Sequence, residues 1–470
     1  MLSSLTLAHW LTLHAFVTLI AVLTYIVSAH VMHQRRQPTA AVAWMLFILS
    51  LPYLALPAFL MFGSRKLARP RTNDAPVHAV PRHARDDWAV ETIVALGQPA
   101  PQPYTDLRLH ADGSEARAAL LRTIDGACAS LDLCTFILGR DALGREVVEH
   151  LCRRASAGVR VRLLLDGMGS LMARPPSLAP LLRAGGAFAL FVPPLRSPLK
   201  GRTNLRDHRK LVVADAGLPA QRLWCGGRNL AAAYFEGAPG RAAWRDLSFD
   251  LGGPLVRQAG ALFEQDRAFA KGAAPSPRAP LDADPQGRAA MAGEGAQLVA
   301  SGPDQADDTL LALLVTAAYR ARRRVLLVTP YFVPDPALLM ALCLAARRGV
   351  VVDLLLPARS NHLLSDLARG RALRSLSQAG GRVWLAPGML HAKLAVVDDG
   401  FALAGSANLD SRSLLLNYEL MVAFHQAADA QRFADWFEAE RLCARPYAAV
   451  RPGLVRDVAE GMLLWVAFQL

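Results

Sequence analysis

The stretch from 390 to 413 reads Leu-His-Ala-Lys-Leu-Ala-Val-Val-Asp-Asp-Gly-Phe-Ala-Leu-Ala-Gly-Ser-Ala-Asn-Leu-Asp-Ser-Arg-Ser, and an upstream segment repeats its pattern. From Asn204 the chain runs Asn-Leu-Arg-Asp-His-Arg-Lys-Leu-Val-Val-Ala-Asp, and after a short loop Leu-Trp-Cys-Gly-Gly-Arg-Asn ends at Asn229. Both copies carry His-x-Lys-x-x-x-x-Asp, as His208, Lys210 and Asp215 and again as His391, Lys393 and Asp398. Each is followed by Gly-x-x-Asn.

The spacing predicts that each motif opens a strand, with histidine and lysine two residues apart and therefore on one face. An imidazole beside an ammonium is a phosphate site. Small residues follow, Gly226 and Gly227 in one copy and Gly405 and Ser406 in the other. They let backbone and an asparagine amide, Asn229 or Asn408, approach an anion. Two such half-sites joined across a pseudo-two-fold make one pocket with two histidines and two lysines, suited to phosphoryl transfer without a metal or other cofactor. One imidazole attacks phosphorus, and the other protonates the leaving oxygen and then serves as base. The lysines, with Asn229, Ser406 and Asn408, neutralise charge on the phosphoryl oxygens.

The flanking sequence repeats as well. Helical spacing over 114–129, an apolar strand over 131–138, an amphipathic helix over 141–155 and a strand over 159–166 recur as 309–323, 325–332, 336–348 and 350–356. The expected class is α/β, an αβα sandwich of two β-α-β repeats, 104–271 and 298–447, joined by an Ala/Pro/Gly-rich linker at 272–297.

Ahead of the first repeat lie two apolar runs, about 5–31 and 39–62, the second interrupted by Pro52 and Pro57. Each is long enough to span a bilayer, and together they read as a transmembrane helical hairpin within an anchor over 1–63. Arg35 and Arg36 lie between the runs, and Arg65, Lys66, Arg69 and Arg71 follow the second, which puts the body in the cytoplasm. Residues 64–103 read as a tether with one short helix near Trp88, and 448–470 as an apolar tail, whose Trp465 and Phe468 suit either a bilayer surface or ordinary core packing. The formal charge of +13 favours anionic partners. The six scattered cysteines suggest a reduced compartment.

The doubled motif resembles that of the phospholipase D superfamily. Several segments are similar more narrowly to bacterial cardiolipin synthases: Asn204 to Lys210, Trp244-Arg-Asp-Leu, Gly253-Pro-Leu-Val-Arg, Gly405-Ser-Ala-Asn-Leu-Asp-Ser-Arg-Ser, and Arg35 to Pro38 with Ala41 to Trp44. The resemblance implies two phospholipase D-like repeats, His208 as nucleophile and His391 as acid/base. It also implies an orienting acid well downstream of each motif, where Asp246 and Glu419 stand, with Glu419 serving His391. Asp215 and Asp398 are then expected to hold strand-to-turn geometry. The implied reaction transfers a phosphatidyl group between two phosphatidylglycerol molecules through a phosphohistidine, on a multi-pass protein of the bacterial inner membrane. Anionic phospholipid is the expected partner and nucleic acid is not. The alternatives are a phospholipase D-type hydrolase, a transferase with a donor such as phosphatidylethanolamine, and a nuclease. Leu133-Cys-Thr-Phe136 and Ala231 to Ala233 depart from the synthase pattern, where head-group selection could be made.

Overall fold

The computed structural model describes residues 2–31, 38–62, 87–192, 204–237, 240, 242–272, 295–305 and 307–466. The basic residues 35, 36, 65, 66, 69 and 71, most of the expected linker (273–294), the Trp465 side chain and Phe468 lie outside what is described.

The first apolar run is one helix, α1 (Leu2–Val31), whose His9–Val27 is long and apolar enough to cross a membrane. The second is broken into α2 (Pro38–Ser50) and α3 (Pro52–Phe62). Pro52 has no N–H to continue α2 but fits the first turn of α3. Ala21 and Tyr25 of α1 pack with Ile48 of α2 and with Ala55 and Phe59 of α3. Helix α4 (Trp88–Ala95) is capped by Asp87 and buries Ala89 and Ile93 in the body, so part of the expected tether is core.

The body holds two sheets of like order. The first half runs β1 (Thr105–His110), α5 (Gly113–Gly126), β2 (Ser130–Thr135), α6 (Ala142–Ser156), β3 (Arg160–Asp166), α7 (Gly167–Ala173), α8 (Ala179–Arg183) and β4 (Ala187–Phe191). It continues with β5 (Arg206–Asp207), β6 (Leu211–Ala214), β7 (Arg222–Gly226), β8 (Ser248–Gly252) and α9 (Leu255–Ala270). Its sheet order is β1-β8-β7-β6-β2-β3-β4.

The second half opens with β9 (Ala296–Ser301), α10 (Thr309–Arg320), β10 (Arg324–Val328), β11 (Phe332–Val333), α11 (Pro336–Arg347), β12 (Val351–Pro357), α12 (Leu363–Gln378) and β13 (Arg382–Ala386). Then come β14 (Leu394–Val397), β15 (Phe401–Gly405), β16 (Leu409–Asp410), α13 (Ser411–Leu415), β17 (Asn417–Phe424), α14 (Ala427–Leu442), β18 (Arg445–Pro446) and α15 (Leu454–Val466). Here the order is β18-β13-β12-β10-β14-β15-β17-β5, with β9 also paired to β17; the run β9-β17-β15-β14-β10-β12-β13 matches the first sheet strand for strand, and β5 and β18 are additional. In each half two apolar strands run parallel across a helix, β2 with β3 and β10 with β12, and the motif strand, β6 or β14, pairs antiparallel to the first of them.

The apolar alternation explains the layering. One core lies between the sheets, with Leu211, Val213 and Phe249 of the first against Leu394, Val396 and Phe424 of the second. Two outer cores, one around Leu133 and Leu151, the other around Leu327 and Leu342, sit under the helices. The fully buried Arg209 joins the halves: its guanidinium donates to the Glu419 carbonyl at 3.1 Å and the Ser301 carbonyl at 3.2 Å and pairs with Asp266 of α9. The C-terminal tail is a helix held to α12 by ion pairs, Arg374 with the buried Glu460 among them.

Candidate active site

Strand formation begins one residue after each His-x-Lys. His208 to Lys210 precede β6 and His391 to Lys393 precede β14, so the expectation that they lie within the strand is corrected. The reason is that these residues pair with the other half instead. In β5, Arg206 and Asp207 run parallel to Asn417 and Tyr418 of β17, and the His208 N–H donates to the Tyr418 carbonyl at 2.9 Å. On the other flank the Arg245 N–H donates to the Met389 carbonyl at 2.9 Å and the His391 N–H to the Arg245 carbonyl at 2.6 Å. Each short backbone clamp ends beside an acid, Glu419 or Asp246.

The acids therefore cross over. His208 Nδ1 lies 2.9 and 3.1 Å from the two carboxylate oxygens of Glu419, and His391 Nδ1 lies 2.7 Å from Asp246 Oδ2. The assignment of Glu419 to His391 is overturned: each histidine of one half meets the carboxylate of the other. Backbone pairing between halves decides this, and no local spacing encodes it.

The two pairs are not alike. The buried Glu419 carboxylate also accepts from Ser406 Oγ at 2.5 Å, from the Ser413 hydroxyl, and from Asn417 Nδ2 at 3.3 Å. Asp246 takes only the Leu247 N–H besides His391, at 2.7 Å through Oδ1, among the described residues. A Cβ on Gly227, which occupies the place of Ser406, would come within 2.2 Å of Asp246 Oδ1. The Ser406 hydroxyl also accepts the Leu420 N–H at 3.0 Å, so it holds the acid rather than facing a phosphate, a correction to its expected role.

Both lysines fold back on their histidines. Lys210 Nζ donates to the His208 carbonyl at 2.5 Å. Lys393 Nζ donates to the His391 carbonyl and lies 2.7 and 3.0 Å from the ring nitrogens. Burial depresses all four bases. His208 falls to about 4 despite the pull of Glu419, and His391 to about 3, burial being reinforced by Lys393. Lys210 is brought down to about 8 and Lys393 to about 7, burial outweighing the nearby carboxylates. Burial alone would raise Glu419 and Asp246, but their histidine and lysine neighbours hold both low. The resting pocket thus contains neutral imidazoles, anionic acids and ammoniums that titrate near neutrality.

Asp215 and Asp398 stand at the far ends of β6 and β14, the length of the strand away from the imidazoles. Asp215 accepts the N–H groups of Cys128, Ala129 and Ser130 at 2.7 to 2.8 Å, and Asp398 those of Arg322, Arg323 and Arg324 at 2.7 to 3.2 Å. Both sit at positive φ, 53° and 52°, where aspartate is tolerated better than most residues.

Asn229 Nδ2 donates to the Tyr234 hydroxyl at 2.9 Å. The side-chain oxygens of Asn229 and Asn408 are buried with no hydrogen-bond partner among the described residues. Aromatic walls complete the pocket. Phe136 sits edge-on to His208 at 5.1 Å, Tyr234 edge-on to His391 at 5.0 Å, and Trp244 tilts over His391 at 5.6 Å. The two departures noted in the sequence therefore border the imidazoles, Phe136 directly and Ala231 to Ala233 through the turn that presents Tyr234. Sequence reasoning did not find Ser413, Asn417 or Tyr234. Ser413 had one usable signal, since Asp410 caps α13 through the Ser413 N–H, but Tyr234 had none.

Comparison with known proteins is in keeping with this geometry. Residues 314–441 match the family described as "Cardiolipin synthase, PLD-like domain". The chain is 31% identical to cardiolipin synthase A of Pseudomonas entomophila (strain L48) over 452 residues, 91% of this chain and 92% of that one. Against cardiolipin synthase A of Pseudomonas aeruginosa (strain LESB58) it is 32% identical over 463 residues, 92% and 91% of the two chains. Among solved structures, the phosphatidylserine synthase of Haemophilus influenzae Rd KW20 aligns with a TM-score of 0.61 at 12% identity, covering 81% of this chain and all of that one, which is a likeness of fold.

Proposed function

The chain belongs to the family of phospholipase D-like cardiolipin synthases, and on that premise we propose that it joins two phosphatidylglycerol molecules into cardiolipin and releases glycerol. The observation that carries the chemistry is the crossing of the two histidine–carboxylate pairs. It makes one pocket from two halves and fixes on each ring a hydrogen at Nδ1, leaving the Nε2 lone pair for chemistry.

His208 is the more exposed imidazole, its side chain 12% accessible against 4% for His391, which favours it as the nucleophile. Its Nε2 bonds to phosphorus as the P–O bond to glycerol breaks, and His391 gives the leaving oxygen its proton. A hydroxyl of the second phosphatidylglycerol then loses its proton to His391 and attacks phosphorus. The N–P bond breaks and His208 is restored. His391 is neutral in the resting pocket through burial and, secondarily, the Lys393 charge; an anionic phosphodiester set against Lys393 offsets the second of these and so favours loading of the acid. Lys210, Lys393, Asn229 and Asn408 bear on the phosphoryl oxygens, and the aromatic walls keep water from the covalent intermediate.

The matching strand orders support a body of two phospholipase D-like repeats, 104–271 and 298–447, about a pseudo-two-fold through the pocket. Packing of α1 on α2 and α3 supports a hairpin in the bacterial cell membrane, with the interrupted second run also crossing. The heavier basic flank after it, residues 65–71, supports a cytoplasmic body.

The test is product identification with the purified full-length protein and labelled phosphatidylglycerol in mixed micelles. Cardiolipin with free glycerol is expected. Phosphatidic acid alone would replace the transferase with a hydrolase, and DNA cleavage without lipid turnover would replace it with a nuclease.

A further inference from the structure

The two halves that match strand for strand differ sharply on one flank of the pocket. Counting back from the motif histidines, Asn204 and Arg206 correspond to Pro387 and Met389. Counting forward from Gly226 and Gly405, Arg412 corresponds to Ala233. Polar or cationic groups thus stand at three positions beside the His208–Glu419 pair where the His391–Asp246 pair has only apolar ones.

Two of these residues bond directly and the third lies within electrostatic reach of the Arg412 guanidinium. Arg412, the second residue of α13, donates through Nη2 to the Asn204 carbonyl at 3.0 Å and to Asn204 Oδ1 at 3.1 Å. Arg206, two residues before His208 in an extended segment, shares its side of the strand. Its Nη1 donates to the Leu205 carbonyl at 2.6 Å. Asn204 is 2% exposed, and its Nδ2 finds no acceptor among the described residues. A buried donor left unmade is costly, so an amide held in this state beside two guanidiniums is fitted to an acceptor that arrives from outside. Asp166 and Asp410, whose charges act on these guanidiniums, do not supply it. Asp166 spends Oδ1 on the Met168 and Gly169 N–H groups and Oδ2 on that of Asp207, and Asp410 takes the Ser413 N–H.

Resting on the function proposed above, we propose that Asn204, Arg206 and Arg412 form a second anion subsite that holds the phosphodiester of the acceptor phospholipid. At the second step two phosphates must lie close together, one bonded to His208 between Lys210 and Lys393, the other on the attacking lipid. Their repulsion is strongest in a buried pocket, and two guanidiniums with a convergent amide donor offset it. The subsite lies on one flank only, so donor and acceptor are distinguished within a nearly symmetric pocket, and a charged lipid alcohol is favoured over a neutral one.

The test places both acceptors in one reaction. Full-length protein in mixed micelles receives phosphatidylglycerol and labelled free glycerol, and the readout is the ratio of cardiolipin to labelled phosphatidylglycerol, both drawn from the same intermediate. In Arg206→Met and Arg412→Ala the ratio is expected to fall tenfold or more, with a smaller fall in Asn204→Ala and substantial recovery in Arg412→Lys. An unchanged ratio in the first two variants overturns the subsite, as does loss of both products in every variant including Arg412→Lys. Failure of the unaltered protein to form cardiolipin would instead overturn the function on which the subsite rests.

Discussion

A histidine two residues from a lysine acquires meaning from the acid behind its ring. Glu419 is bound to His208 across 211 residues of sequence and Asp246 to His391 across 145. Imidazoles and lysines were legible as residue types at a repeated spacing, but the pairing was not, because it depends on which backbone segments of the two halves lie side by side. Glu419→Gln and Asp246→Asn should each lower kcat by roughly 100-fold or more, since the amide can hold the ring in the wrong tautomer. Ser413→Ala, which removes one of several hydrogen bonds to Glu419, should cost about 1 kcal/mol of transition-state stabilisation, read as a several-fold fall in kcat/KM. The pH profile follows from the lysines. Their depressed values, about 8 and about 7, mean that ammonium charge is present below these values and is lost as pH rises through them. Phosphate affinity, and with it kcat/KM for the lipid, should fall above about pH 7 to 8. Lys393→Arg should move that limb upward, and an unmoved limb would assign it to another group.

Among the elements, the β-α-β order was readable because apolar strands and amphipathic helices have different periods and each breaks at a glycine. The strand-to-turn role of the third motif residue came from the family resemblance and not from any local period. Asp215 ties the end of β6 to the turn that launches β2, and Asp398 does the same for β14 and β10. Asp215→Ala frees three backbone N–H groups and puts alanine at positive φ, which should cost roughly 2–4 kcal/mol, measured by denaturant unfolding. Asp215→Asn, which keeps an acceptor and tolerates the same φ, should lose much less. Gly227→Ala tests the opposite end of the sheet. Its Cβ would collide with the Asp246 carboxylate, so activity should fall far more than thermal stability, and equal losses would mean that the glycine serves packing alone.

For the whole molecule, the two-sheet body and the apolar N-terminus follow from composition and period. The break between α2 and α3 at Leu51 and Pro52 was foreshadowed by the proline, whereas the docking of α4 into the second half's core was not, because eight residues carry too little periodicity to name a partner. Removing residues 1–62 takes away exposed apolar side chains such as Trp10, Leu13 and Phe16 and should shift the protein from the membrane to the soluble fraction; full retention would assign anchorage to another surface. The central claim is that two halves supply one pocket in which His208 carries the phosphatidyl group and His391 moves the proton. It is tested most directly by presenting phosphatidylglycerol labelled at phosphorus to full-length His391→Ala and His208→Ala and isolating protein-bound label. Acid-labile, alkali-stable label on His391→Ala and none on His208→Ala is expected. Label on His208→Ala alone would exchange the two roles, and label on neither would contradict a covalent intermediate.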